Sequence, residues 1–172
     1  MNKLVIFDLD GVLIESRELH YTSLNDALRR IGSNYEITRE EHLSLYDGLN
    51  TTQKLELLNK HKGLDRKFFD QIWNDKQQAT FNLIRRMHKN ERLRRMFIML
   101  VEKKIKIAVA SNSIRETVKL ALLSIGVMEY VDYFVSNEDV IRSKPFPEMY
   151  WKCMTALNVL PKNTVIIEDS HI

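Results

Sequence analysis

The sequence predicts an α/β fold: a Rossmann-like parallel sheet with helices on both faces, interrupted after its first strand by an all-helical insert. Three observations predict it. Residues 3–8 read KLVIFD, a short β-rich run without alternation, as in a strand buried on both faces. From residue 90 to 168, helical and β-rich stretches alternate, as in a chain that crosses over between parallel strands. Residues 15–85 hold no convincing strand and carry helical apolar spacing throughout. The expected boundaries are 1–14 with 86–172 for the sheet domain and 15–85 for the helical insert.

The elements follow in order. Residues 16–31 place Leu19, Leu24, Ala27, Leu28 and Ile31 on one helical side, and Gly32 stops the helix. Thr38 and Glu41 form a capping-box pattern that opens a second helix. Gly48 and Asn50 interrupt, and 51–60 resumes as helix. Residues 65–87 carry Phe68, Phe69, Ile72, Trp73, Phe81 and Ile84 as a helical stripe that reads as core of the insert rather than as an aromatic ligand box. Helix over 90–103, strand over 105–110 (IKIAVA), helix over 114–125, short strand over 133–136, helix over 147–157 and strand over 164–168 (TVIIE) complete the chain.

A chain of 172 residues buries enough surface to hold a core without disulfide or structural metal. The hydrophobic share of 44% and charged share of 28% argue against disorder. The single cysteine, Cys153, excludes an intrachain disulfide and CxxC zinc or redox motifs, and its helical position suits an inert buried thiol. No apolar run approaches the roughly 18 residues of a membrane span, and Asp8 stands where a signal peptide is still apolar. A cytoplasmic location is expected. Residues 85–106 hold nine basic residues against Glu91 and Glu102. Leu93, Met96, Phe97, Leu100 and Val101 recur between them at helical spacing, and no aromatic residues alternate with the charges. The segment therefore reads as the solvated face of a helix, and no nucleic-acid or membrane partner is expected.

Ligands of parallel α/β sheets sit beyond the carboxyl ends of the strands. The groups at those ends are Asp8 and Asp10 with Gly11, then Ser111, Asn112 and Ser113, then Lys144, then Glu168 and Asp169. Carboxylates brought together repel unless cations offset them. Lys144 supplies one charge, and a divalent ion would supply more. An all-oxygen donor set selects Mg²⁺ over zinc, and Mg²⁺ beside a lysine and hydroxyl donors suits phosphoryl chemistry. An Asp could serve as nucleophile with the second Asp, two residues on, as its acid-base partner.

In order along the chain, Asp8-Leu9-Asp10-Gly11-Val12, Ser111-Asn112 after a hydrophobic strand, Lys144-Pro145 and Glu168-Asp169-Ser170 resemble the four motifs of the haloacid dehalogenase superfamily. The helical insert looks like the cap of the subgroup that contains β-phosphoglucomutase and phosphoglycolate phosphatase. The resemblance implies a nucleophile and metal ligand at Asp8 and a general acid-base at Asp10, whose backbone carbonyl also meets the metal. It implies phosphate binding by Ser111, Asn112 and Lys144, with Lys144 also pairing Asp8. Glu168 and Asp169 would complete a Mg²⁺ site. Asp10 separates the chain from the dehalogenase branch, which lacks an acid there, and from the ion pumps, which carry Thr.

The expected function is a Mg²⁺-dependent phosphatase of a small phosphorylated metabolite, a sugar phosphate or phosphoglycolate-like compound, acting through an aspartyl phosphate. A sugar phosphomutase is the alternative, motivated by His20, which stands at the position of the mutase's cap-hinge histidine. The loop around Gly48, Asn50 and Thr51 corresponds to the substrate-reading loop of the cap. Thr51 stands where mutases carry the Arg that grips a second phosphate, which favours the phosphatase.

Glu15 departs from the usual Asp in the turn towards the cap. The larger departure is the end, since the family continues after its fourth motif with a crossover unit of about 30 residues or more. The core is therefore expected to be truncated after the fourth motif. A longer native enzyme, a homo-oligomer or partner covering the open core edge, and a weak or non-catalytic binding module are the readings this leaves.

Overall fold

The run that opens the chain forms β1 (Leu4–Phe7), and all four of its residues are buried. A strand with no solvent-facing side belongs inside a sheet covered on both faces. The computed structural model describes residues 3–169. After β1 the chain passes into α1 (Arg17–Ile31), a single helical turn α2 (Arg39–Glu41) that runs on into a π-helical turn (His42–Tyr46), α3 (Thr51–Lys62) and α4 (Phe69–Ile84). It returns through α5 (Glu91–Glu102), β2 (Lys106–Ala110), α6 (Arg115–Ser124), β3 (Tyr133–Val135), α7 (Glu148–Ala156) and β4 (Thr164–Ile167).

The sheet has the order β3-β2-β1-β4, with every pairing parallel. Phe7 stands opposite Val109 on one side and Ile167 on the other, so the residues that follow β1, β2 and β4 leave from one edge. The chain winds outward from β1 to β3 and then crosses back to the far side of β1. That reversal opens a crevice at the carboxyl edge. Alternation along the strands sends successive side chains to opposite faces. Leu4 and Ile6 pack with Ala108, Ala110 and Val135 against Met149 and Cys153 of α7. Phe7 points the other way and stacks on Phe97 of α5, with ring centroids 5.1 Å apart. Burial pushes the Cys153 thiol up to about 12, as an inert core sulfur requires. Among the described residues, no helix is long and apolar enough to cross a membrane.

The chain divides into two units, Met1–Glu15 with Ile84–Ile172 and Ser16–Leu83. The second has its own core of Leu24, Leu28, Ile37, Tyr46, Leu58 and Ile72, with Phe68, Phe69 and Trp73 packed against it. Buried Asn25 ties this unit together. Its Nδ2 donates to the Ile37 carbonyl at 2.9 Å, and its Oδ1 accepts the Ile37 N–H at 2.9 Å.

Three details differ from the sequence reading. The helix opened by the Thr38–Glu41 capping box is α-helical for one turn only and then widens. The Asp47 N–H reaches back to the His42 carbonyl at 2.8 Å, an i→i+5 bond that stacks His42 and Tyr46 on one buried face. The stretch that follows residue 65 begins as a 3₁₀ turn, because the Asp65 side chain accepts the Lys67 N–H at 3.0 Å, and α4 ends at Ile84. On α5, Val101 is exposed rather than part of the apolar stripe, and of that helix only Phe97 is buried.

His42 is 2% exposed. Its burial lowers the ring pKa to about 4, with Lys54 and His20 acting in the same direction and Asp47 against them. The imidazole is therefore neutral in the fold and protonates first in the unfolded chain. Stability from this residue is full above pH 6.5 and is lost as pH falls towards 4. His42→Gln is expected to flatten that acid limb. Between pH 7 and 4.5 the melting temperature should fall by roughly 3–6 °C more in the wild type than in the variant, as read by thermal denaturation.

Candidate active site

Four chain segments converge on the carboxyl edge of the sheet. Asp8 follows β1 directly, is 6% exposed, and has its backbone N–H held by the Ile167 carbonyl at 2.9 Å. Beyond it the chain folds into a tight turn in which the Gly11 N–H donates to the Ile14 carbonyl at 2.8 Å. Gly11 has φ +83°, and a methyl group on its Cα would overlap the Asp169 carboxylate. A glycine is thus required twice here, for the left-handed backbone and for the close approach of Asp169.

Lys144 is the cation of the site. Its Nζ donates to Asp8 Oδ1 at 2.7 Å and to Glu168 Oε2 at 2.6 Å. The loop that carries it is held at both ends. The Lys144 N–H donates to Asn112 Oδ1 at 3.0 Å, and Asn112 Nδ2 donates to the Lys144 carbonyl at 3.3 Å. Glu148, in the first turn of α7, accepts the N–H groups of Ile141 and Arg142, each at 2.9 Å. Asp10 turns to a different set of donors. Its Oδ2 accepts the hydroxyls of Ser111 and Ser113, each at 3.3 Å, while the Ser113 N–H donates to Ser111 Oγ at 3.0 Å.

Asp8, Glu168 and Asp169 each offer a carboxylate oxygen, and these oxygens lie within 4.8 Å of one another. The electrostatics follow from that crowding. Burial pushes the Asp8 carboxyl up to about 7, Lys144 pulls it back, and Asp10 and Glu168 push it further up. Burial works to lower the Lys144 pKa, but Asp8 and Glu168 outweigh it and hold the ammonium above its ordinary value. One lysine among these acids leaves an excess of negative charge on an all-oxygen donor set. Those residues fit a hard divalent cation such as Mg²⁺.

All of the expected core groups, Asp8, Asp10, Ser111, Asn112, Lys144, Glu168 and Asp169, lie at this one edge. Ser170 of the fourth motif lies outside the described residues. The Asp10 side chain stands with the two serines and not in the three-carboxylate group. The Asn112 side chain is spent on the Lys144 backbone. His20, Gly48, Asn50 and Thr51 belong to the Ser16–Leu83 unit. There Gly48 takes φ +73°, Asn50 caps α3 by accepting the Gln53 N–H at 2.9 Å, Thr51 is buried at the helix start, and His20 lies partly buried on α1.

Two site residues escaped the sequence reading of roles. Ser113 stands in the same strand-end cluster as Ser111, and only the tertiary contact gives it a partner in Asp10. Tyr150 hydrogen-bonds Glu168 Oε2 at 2.7 Å, and its ring lies 5.4 Å from Lys144 Nζ. An aromatic on a helix ordinarily reads as core; the signal available was its place six residues after Lys144 in the run KPFPEMY.

The family profile of haloacid dehalogenase-like hydrolases matches residues 5–172. A phosphorylated carbohydrates phosphatase of Thermotoga maritima is 28% identical over 171 residues, which are 96% of this chain and 76% of that protein. The pyrophosphatase PpaX of Bacillus mycoides is 25% identical over 175 residues, 97% of this chain and 74% of its own length. Among solved structures, CbbY from Rhodobacter sphaeroides in complex with phosphate superposes with a TM-score of 0.88 at 23% identity, covering 99% of this chain and 79% of its own. β-Phosphoglucomutase from Clostridium difficile gives 0.83 at 24% identity, with 99% and 77% covered. These two show the shared fold.

Among the described residues, Lys144 is the cation that bridges buried Asp8 and Glu168, so removing it takes away the charge that offsets these two carboxylates. Lys144→Met is expected to cost about 3–5 kcal/mol in urea denaturation at neutral pH. The loss should shrink at acidic pH, where Asp8 protonates, and should be partly restored by millimolar Mg²⁺.

Proposed function

This chain belongs to the haloacid dehalogenase-like hydrolases, and from that membership we propose that it is a Mg²⁺-dependent phosphatase of a small phosphorylated metabolite. The observation that carries the reading is the division of labour between two aspartates two residues apart. Asp8 is gripped by Lys144 beside two further acids, while Asp10 is held apart by two hydroxyls. A nucleophile and a separate acid-base need that arrangement.

In the proposed reaction an Asp8 carboxylate oxygen attacks phosphorus. The bond from phosphorus to the leaving oxygen breaks, and Asp10 gives that oxygen a proton. Water then attacks the phosphorus of the aspartyl phosphate and passes a proton to Asp10. The acyl–phosphate bond breaks, inorganic phosphate leaves, and the Asp8 carboxylate is regenerated. Lys144 pulls the Asp8 carboxyl towards its ionised form against the effect of burial and offsets charge on the transferring group. The Ser111 hydroxyl donates to a phosphate oxygen, and Asn112 keeps the Lys144 loop in register. Mg²⁺, held by Asp8, Glu168 and Asp169 with the Asp10 carbonyl, would supply positive charge against the substrate phosphate.

One relative supports a substrate class. A phosphorylated carbohydrates phosphatase at 28% identity supports a sugar phosphate or a compound of similar size. Thr51 in place of a phosphate-gripping arginine supports a phosphatase over a phosphomutase. The lone, buried Cys153 suits a reducing cytoplasmic location.

Phosphate release from p-nitrophenyl phosphate tests the reading. The expected result is turnover with Mg²⁺, none with excess chelator, and a loss of at least about 1,000-fold in kcat for Asp8→Asn. Full turnover by Asp8→Asn would remove the nucleophile from Asp8. Metal binding without turnover in the wild type would make the chain a binding module instead.

A further inference from the structure

We propose that Tyr150 is a positioning residue for the acidic centre, fixing which oxygen of Glu168 is turned to the cation. The inference rests on the divalent-cation site of the proposed function. Glu168 directly follows β4. Its carboxylate is oriented by side-chain partners. Among the described residues two donors meet it, and both reach the same atom. Lys144 Nζ donates to Glu168 Oε2 at 2.6 Å, and the Tyr150 hydroxyl donates to Glu168 Oε2 at 2.7 Å.

One oxygen of the carboxylate is thus occupied by a charged and a neutral donor, and among the described residues Oε1 would be the oxygen left to a metal. That arrangement makes Glu168 a one-oxygen ligand, as the near-ideal octahedron of Mg²⁺ demands. Tyr150 is itself well anchored. It sits in the first turn of α7, directly after Glu148, which ties down the Lys144 loop, and Met149, which is fully buried against the sheet. Its ring also lies against Lys144, with Nζ 5.4 Å from the centroid. A single helical turn thereby sets the orientation of the cation Lys144 and of the anion Glu168 together. Partners that orient a metal ligand typically govern metal affinity by 10–100-fold.

The test is calorimetric titration of Mg²⁺ into the full chain and into Tyr150→Phe, each checked for its melting temperature without metal. The phenylalanine ring keeps the packing and removes only the donor. The expected result is Mg²⁺ binding about tenfold weaker in Tyr150→Phe, with an unchanged melting temperature. In turnover, the loss in kcat should be recovered at high Mg²⁺ while KM for p-nitrophenyl phosphate stays constant. Equal Mg²⁺ affinity in the two proteins overturns the role of Tyr150 and leaves the phosphatase reading intact. Failure of the wild type to bind Mg²⁺ overturns both. The double variant Tyr150→Phe/Glu168→Gln covers the case in which the phenylalanine chain is less stable. A Tyr150 that acts through Glu168 adds no further loss of affinity in the Glu168→Gln background, and an equal loss in both backgrounds overturns the proposal.

Discussion

The ammonium of Lys144, bonded at once to Asp8 and Glu168, is the interaction on which the rest of the site depends. Parallel strands ending at one edge bring acids together from distant parts of the chain, and burial raises the cost of their charge. Asp8 shows that cost directly in a carboxyl pushed up to about 7. A buried cation between two of the acids lets the cluster persist. Much of the surrounding structure serves to hold that cation where it is. Asn112 clasps the Lys144 backbone, Glu148 ties the preceding loop, and Tyr150 covers the ammonium while reaching the same glutamate oxygen.

The same edge separates two kinds of carboxylate by their company. Asp8 faces a lysine and other acids, and Asp10 faces two serine hydroxyls. Groups of one chemical type placed in different surroundings can take different parts in proton and phosphoryl transfer. The tight turn at Gly11 makes this possible. It brings Asp169 closer to the backbone than any side chain at that position would allow, so the first and last strands contribute to one cluster. The acids and the lysine gathered at this edge accord with membership in the haloacid dehalogenase-like hydrolases.

The Ser16–Leu83 unit is organised on different lines. Its core cluster is apolar, but the unit also buries many polar groups, among them Ser23, Asn25, His42, Lys54, Lys76 and Thr80, with Asn25 bonded in both directions to the Ile37 backbone. The π turn at His42 buries an imidazole at the cost of its charge. Gly48, Asn50 and Thr51 have plain structural duties there as turn, cap and helix start.

The order of the elements was legible in the sequence because each local signal was strong. KLVIFD, IKIAVA and TVIIE are apolar runs of strand length, and Gly32, Asn50 and Asn90 punctuate helices at the residues where the structure caps them. The core acids, hydroxyls and lysine were legible because a parallel sheet must deliver whatever follows its strands to one edge. The partner of each group was not, since hydrogen bonds between residues more than 100 positions apart leave no trace in local spacing. Sequence alone therefore determined an interrupted α/β chain with a phosphoryl-transfer motif set. Tertiary structure alone decided that Ser113 joins Ser111 on Asp10, that Asn112 serves the Lys144 backbone, and that Tyr150 meets Glu168. The physical reason is that these contacts depend on strand register and on the seating of α7 against the sheet, which only the packed core fixes.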